Sequence, residues 1–376
     1  MLDKLKNWLI TRATQSIEAG LVPDSLVRVA IRKLIANRRR SLYAGSEQER
    51  AERSQAFIQA ASRADRVAID TEAANEQHYE VPSKFYDLVL GKHRKYSSCF
   101  FASADDDLDT AERTALEMTC EHADLRDKQT ILELGCGWGS LTLWMAEHYP
   151  NASITAVSNS RSQREYILEE AERRGIDRNL TVLTCDINNL KLDKQFDRIV
   201  SVEMFEHVRN HRKLFERMAH WLKDDGELFV HIFCHRHFAY PFETQGAANW
   251  MGRHFFTGGM MPSQDLFETA QDSFALSNRW EWNGRHYMHT ANAWARNMDE
   301  HRQELLTILG EIYGRGNEIR WFQRWKMFFF ACAELFGADN GNEWFVTHYR
   351  FTKAPLKPNE EMLFPDNDLR KLNAQN

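Results

Sequence analysis

The sequence has no C-x-x-C pair: its six cysteines, Cys99, Cys120, Cys136, Cys185, Cys234 and Cys332, are scattered along 376 residues. Neither a disulfide framework nor a metal site is expected, and a reducing, cytoplasmic setting suits such thiols. An apolar run of about 18 residues, the least that a spanning helix needs, is also missing. The first ten residues hold no signal-peptide core, because Asp3, Lys4, Lys6 and Asn7 interrupt them. Positive charge is not in excess: the net charge is −6, so nothing global points to a nucleic-acid partner. There is no internal repeat and no low-complexity tract. What the chain has in quantity is aromatic residues, 12 % of the total, with 11 Trp and 23 Phe. They suit an aromatic-lined pocket and equally an aromatic core.

The pattern divides the chain. Residues 1–75 read as helical, with Leu26, Val27, Ala30, Ile31, Leu34 and Ile35 at helical spacing. Arg28, Arg32 and Lys33 lie opposite, followed by Arg38-Arg39-Arg40. Such a helix could make peripheral contact with an anionic membrane, or simply pack on the main domain or on a homodimer partner. From Ile131 short apolar runs alternate with amphipathic stretches, the mark of βαβ units. Strands are expected at 131–134, 153–157, 181–184, 196–202 and 227–233, with helices at 141–148, 162–174 and 211–222. This predicts an α/β, Rossmann-like doubly wound sheet, with a cofactor core over 120–235 inside a domain spanning 76–352. Residues 235–300 look aromatic and irregular, so 236–335 is expected to be a lid or substrate region. An apolar helix is expected at 321–336, a late strand at 344–351, and a tail over 353–376.

E-L-G-C-G-W-G, residues 133–139, follows the first strand and precedes the first helix. So tight a turn needs residues without Cβ, and a ligand lying against the backbone needs the same. The helix start offers unpaired N–H groups. Dehydrogenases prefer G-x-G-x-x-G; here the third glycine comes one residue early. With Glu133, Gly135, Gly137 and Gly139, the stretch resembles motif I of the class I methyltransferases, which implies S-adenosylmethionine as cofactor. Relatives carry an acid after the second strand for the ribose; this chain has none, leaving Asn159 and Gln163 as candidates. After the third strand, Asp186 could accept from the adenine amino group and Ile187 could cover the ring, although Asp186 also suits a turn.

The fourth strand ends S-V-E-M-F-E-H, residues 201–207. H-Y-E-V-P-S-K-F-Y (78–86), G-K-H-R-K-Y-S-S-C-F-F (91–101) and F-V-H-I-F-C-H (229–235) accompany it, as do R-H-F-F-T-G-G-M-M-P-S (253–263) and A-E-L-F-G-A-D-N-G-N-E-W (333–344). Together they resemble the cyclopropane-fatty-acyl-phospholipid synthase and mycolic acid cyclopropane synthase family, and most of all its coclaurine N-methyltransferase branch. The resemblance covers residues 75–352.

It implies catalytic roles for Glu203, Glu206 and His207, with the carboxylates gripping an amine. His207 would take the proton, since histidine titrates near neutrality. By the same analogy Tyr79, Tyr96 and Ser97 cover the cofactor. Lipid-acting members hold a bicarbonate base, whose ligands would map onto Cys99, Glu206, His231 and Tyr287. Cys332 matches a cysteine sometimes treated as catalytic, but its apolar helix disfavours a thiolate. Each residue also has a plainer reading: Glu203 and Glu206 could pair with Arg209 and Arg212 on a helical turn, and His231 or Cys99 could be core. Three functions compete: N-methylation of a small aromatic amine, methyl or methylene transfer to an unsaturated acyl chain of a lipid, and non-catalytic cofactor binding.

Overall fold

The computed structural model describes residues 2–69, 81–103 and 105–354, residues 2–6 by their backbone alone. Tyr79 and the tail from 355 lie outside the described residues. Three helices come first: α1 (Leu2–Glu18), α2 (Asp24–Leu42) and α3 (Glu47–Ser62), then α4 (Ser83–Val89) and α5 (Leu108–His122). β1 (Thr130–Leu134), α6 (Ser140–His148), β2 (Ser153–Ser158), α7 (Arg161–Arg174), β3 (Leu180–Thr184) and β4 (Phe196–Val202) follow in alternation. A 3-10 turn at Phe205–His207 leads to α8 (His211–Trp221) and β5 (Leu222–His235). Short elements come next: β6 (Tyr240–Pro241), α9 (Trp250–His254), β7 (Met260–Met261) and α10 (Leu266–Thr269). The described chain closes with β8 (Phe274–Trp282), α11 (Gly284–Glu300), α12 (Arg302–Tyr313), α13 (Glu318–Gly337) and β9 (Trp344–Lys353).

Seven strands form one sheet in the order β3-β2-β1-β4-β5-β9-β8. The five from β3 to β5 are parallel, and β9 runs antiparallel to both its neighbours. The central strand β1, T-I-L-E-L, is buried at four of its five residues, as a strand covered on both faces must be. Caps set the helix starts above the strand ends. Ser160 accepts from Gln163 N–H at the start of α7, and Asn210 from Lys213 N–H at the start of α8. The doubly wound α/β sheet is therefore present.

Residues 235–300 are more regular than expected. They contain β8, which forms the sheet edge, and all of α11. Only the two end residues of β8, Phe274 and Trp282, are buried; an edge strand with one face in solvent has little apolar alternation to read. The first two N-terminal helices pack on the aromatic layer, while α3 packs on α8. Val27 and Ile31 of α2 are buried in the cluster that α13 supplies with Phe322, Trp325 and Phe329. Arg28 and Arg32 both reach Glu334 at 2.9 Å, and Arg39 reaches Glu343 at 2.6 Å. Three of the α2 arginines thus face this chain's own carboxylates, as the packed-helix alternative requires.

Candidate active site

A cleft runs across the C-terminal ends of β1 to β4, the side of an open α/β sheet where ligands bind. Its floor is the glycine loop. Gly135, Gly137 and Gly139 have φ of +78°, +52° and +79°, a region that costs other residues about 1–2 kcal/mol. A Cβ on Gly135 would lie 2.6 Å from Met204, and one on Gly139 2.5 Å from Ile167. At Gly137 nothing among the described residues lies within 4 Å of an added Cβ, and the residue lines the cleft. Glu133 is buried, accepts from Thr142 Oγ1, and is pushed up by burial to about 7.

Gln163 and Asn159 line the cleft after β2. Gln163 Oε1 accepts from Ser158 Oγ at 2.6 Å, while its buried Nε2 has no partner among the described residues. Ile187 and Cys185 form the apolar wall after β3, and Asp186 between them accepts from Asn188 N–H at 2.7 Å. Tyr96 and Ser97 lie on the opposite rim. A bare-backbone floor, an unanswered amide donor and an apolar wall fit an adenosine-type ligand such as S-adenosylmethionine. Residues 67–69 close the other side, a contribution the sequence did not announce. Ala68 pairs with Val208 and exchanges two hydrogen bonds with the Asn188 side chain, 3.2 and 3.0 Å.

Above this floor two carboxylates share a small volume. Glu203 does not sit on the helical turn with Glu206; it precedes the turn, with φ +48°. That left-handed conformation turns its carboxylate into a ring of donors. Oε1 accepts from Ser98 N–H (2.9 Å) and His231 Nε2 (3.2 Å), and Oε2 from the Tyr287 hydroxyl (2.7 Å). Burial opposes its charge, but the His231 bond, the nearby Lys95 ammonium and the Ser98 N–H outweigh it and hold Glu203 below the usual carboxylate range. Glu206 is fully buried. Its Oε1 accepts from Phe233 N–H at 2.8 Å and its Oε2 has no partner among the described residues. Burial first, and the Glu203 charge second, push it well above the usual range. The pair therefore holds one ionised and one protonated carboxyl group.

His207 lines the cleft and lies parallel to Phe256 at 5.6 Å. Burial drives it down to about 4, against the pull of the Glu203 charge. The expectation of a histidine titrating near neutrality does not hold, because the imidazolium would be desolvated. Cys99 is fully buried, its thiol directed at Ser97 C=O, and Cys332 is buried on α13; burial raises both thiols. Neither is poised as a nucleophile.

The bicarbonate set also changes meaning. His231 and Tyr287, two of its four expected ligands, both donate to Glu203. The chain's own carboxylate takes the donors that a bound bicarbonate would need, so the group does not fit this site. The residues that sequence reasoning missed are the supports of Glu203: the Ser98 N–H, and Lys95, buried and bonded to Ser97 Oγ and Ser98 C=O at 2.6 Å each.

The family model for mycolic acid cyclopropane synthetase matches residues 67–344. An (S)-coclaurine N-methyltransferase of Thalictrum flavum subsp. glaucum is 34 % identical over 356 residues, covering 93 % of this chain and 97 % of that protein. A cyclopropane-fatty-acyl-phospholipid synthase of Escherichia coli (strain K12) is 29 % identical over 285 residues, covering 75 % and 69 %. Among solved structures, a coclaurine N-methyltransferase bound to N-methylheliamine and SAH superimposes with a TM-score of 0.88 at 32 % identity, covering 92 % of this chain and all of that one.

Proposed function

This chain belongs to the mycolic acid cyclopropane synthetase family and is an S-adenosylmethionine-dependent methyltransferase; within that family we propose that it methylates the nitrogen of a small aromatic amine. The observation that carries this reading is Glu203, an ionised carboxylate built into the cleft where the donors of a bicarbonate site would otherwise stand free. A buried anion beside a cleft that Tyr96 and Trp138 help to line attracts an ammonium ion. The similarity to a solved N-methyltransferase over nine-tenths of the chain supports the same choice.

Bound on the glycine loop, the cofactor supplies a methyl group activated as a sulfonium. The protein's part is to orient the amine, exclude water and take one proton. Glu203 suits that last task better than His207. Moving a proton from an ammonium to Glu203 cancels two charges in a buried site, whereas moving it to His207 keeps both. His207 and Phe256 then serve as a wall for the amine's ring, and protonated Glu206 leaves a hydroxyl beside it.

The test is to incubate the purified protein and cofactor with a panel of secondary benzylic amines and, separately, with vesicles of unsaturated phospholipid. The amines are expected to gain the mass of one methylene, located on nitrogen by NMR, and SAH is expected to accumulate. Cyclopropanated acyl chains with no methylated amine would overturn the reading.

A further inference from the structure

Behind Glu203 lies a row of three histidines, of which the reaction as described uses only His231, as a donor to Glu203. His231 Nε2 meets Glu203 Oε1 at 3.2 Å, His231 Nδ1 meets His348 Nε2 at 2.8 Å, and His348 Nδ1 meets His122 Nδ1 at 2.8 Å. The register of the sheet builds this row. His231 on β5 stands directly opposite His348 on β9, which stands opposite Trp280 on β8. The end of α5 brings His122 against that face, where its ring stacks on Trp280 at 4.1 Å and 5°. Trp282 packs on both inner rings and Phe229 on the middle one. His231 and His348 are fully buried, and His122 is 9 % exposed. The row thus leads from the cleft to the protein's edge.

We propose that His348 and His122 are positioning residues: the bond that His348 donates to His231 Nδ1 fixes that ring and polarises its Nε2–H toward Glu203, which keeps the carboxylate ready for the amine. The direction follows from counting. A neutral imidazole has one N–H and one bare nitrogen. Glu203 is an acceptor, so His231 must carry its proton on Nε2 and present a bare Nδ1. His348 must then donate from Nε2 and present its own Nδ1, and His122 must donate from Nδ1. The bare Nε2 of His122 is left at the outer end, the place in the row nearest to solvent. Every ring donates inward, and no buried nitrogen of the row is left unanswered. Neutral rings are what the pattern requires. Burial lowers all three, His231 to about 4, and Lys95 lowers His231 and His348 further. The charged and titratable groups facing the row are Lys95, Glu206 and Tyr287 around Glu203, and Glu121 and Arg350 at His122.

The inference rests on Glu203 being the carboxylate that meets the amine, and the experiment separates the two. Nitrogen-15 NMR of the histidine-labelled full chain, without amine or cofactor, reads the His231 tautomer, with its signals assigned by their loss in His231→Asn. The expected wild-type result is a protonated Nε2 and a bare Nδ1. In His348→Leu, which leaves His231 Nδ1 without a donor, the proton stays on Nε2, held by Glu203, but its signal is expected to move upfield as the bond to Glu203 weakens. The acid limb of kcat/KM then rises by about one pH unit, a loss of about tenfold on that limb, while SAH affinity is unchanged. His348→Gln, whose amide can still donate, restores both. If His348→Leu does not fold, His122→Leu is expected to move the same signal in the same direction by a smaller amount. A wild-type His231 with its proton on Nδ1 overturns the proposal, as does a His348→Leu protein with an unchanged Nε2–H signal and acid limb. A correct tautomer in a protein that methylates no amine overturns the functional reading instead.

Discussion

Replacing Glu203 by Gln removes one charge and very little volume. The amide oxygen can still accept from Ser98 N–H and His231 Nε2, and the Tyr287 hydroxyl has only to turn so that it accepts from the amide. The fold and the cofactor cleft should therefore survive. What goes is the attraction for the ammonium and the acceptor for its proton. A carboxylate and an ammonium about 4 Å apart attract by about 4 kcal/mol at an effective dielectric constant of about 20. General-base catalysis is worth about two to four orders of magnitude in rate. The same charge does both jobs, so the two overlap, and kcat/KM should fall about a thousandfold. Calorimetry should find SAH affinity unchanged. The wild-type pH dependence follows from the sign of the shift. Glu203 is held below the usual carboxylate range, so its catalytic form persists above that depressed value and is lost as pH falls through it. Its contribution to stability runs the same way: present above the unfolded value, lost as pH falls through the folded one. The melting temperatures of wild type and Glu203→Gln should then converge in acid. A Glu203→Gln protein that binds SAH normally and keeps activity within tenfold of wild type would refute the reasoning.

Glu206 predicts the opposite behaviour, because burial and the Glu203 charge raise its folded-state pKa well above the usual carboxylate range. Folding near neutral pH must then load a proton onto it, so its contribution to stability is present below the unfolded value and lost as pH rises through the folded one. Glu206→Gln should match wild type in acid and become the more stable protein as pH rises; denaturant titrations across pH, showing no such divergence, would contradict its protonation. The glycine loop offers a paired test. Gly139→Ala collides with Ile167 on top of its φ of +79°, and should cost about 2–4 kcal/mol of stability by strain and overpacking together. Gly137→Ala meets nothing among the described residues within 4 Å, so it should cost only about 1–2 kcal/mol of stability yet weaken SAH at least tenfold; equal effects of the two on SAH and on stability would refute the assigned floor.

The parallel core was readable because its signals are local. Five strands and the helices between them repeat within about a hundred residues, and E-L-G-C-G-W-G marks the turn where they meet. β8 was not readable, since an edge strand has one wet face and its pairing with β9 spans some seventy residues of intervening chain. The same limit applies to chemistry. Glu203 and His207 could be picked out from one short run, but their protonation could not, because burial and partners distant in sequence decide it. Burial pushes both Glu203 and Glu206 up, but His231, Lys95 and the Ser98 N–H reverse the shift of Glu203, although the two carboxyl groups are three residues apart. His348 could be seen only as a histidine in an apolar strand. Its partners His231 and His122 come from β5 and from the end of α5, and only the sheet register brings the three into a row.

Glu203 also marks where this chain departs from a site built for a mobile anion, and that departure can be reversed. Glu203→Ala deletes the equivalent of one acetate ion and leaves the Ser98 N–H, the His231 Nε2 and the Tyr287 hydroxyl facing a vacated pocket. A buried donor without a partner costs about 1–3 kcal/mol, so three of them should lower the melting temperature and make the pocket bind small carboxylates. Added acetate should therefore raise the melting temperature of Glu203→Ala in a saturable way and restore part of its amine methylation. Chloride at equal ionic strength should do neither, and acetate should leave wild type and Glu203→Gln unaffected, since their pocket is filled. The piece returned is a carboxylate held by the same three donors, so rescue would show that the charge at this point is what the reaction needs, independent of its tether. If acetate stabilises Glu203→Ala but returns no activity, Glu203 is a structural anchor and the proton acceptor lies elsewhere in the cleft.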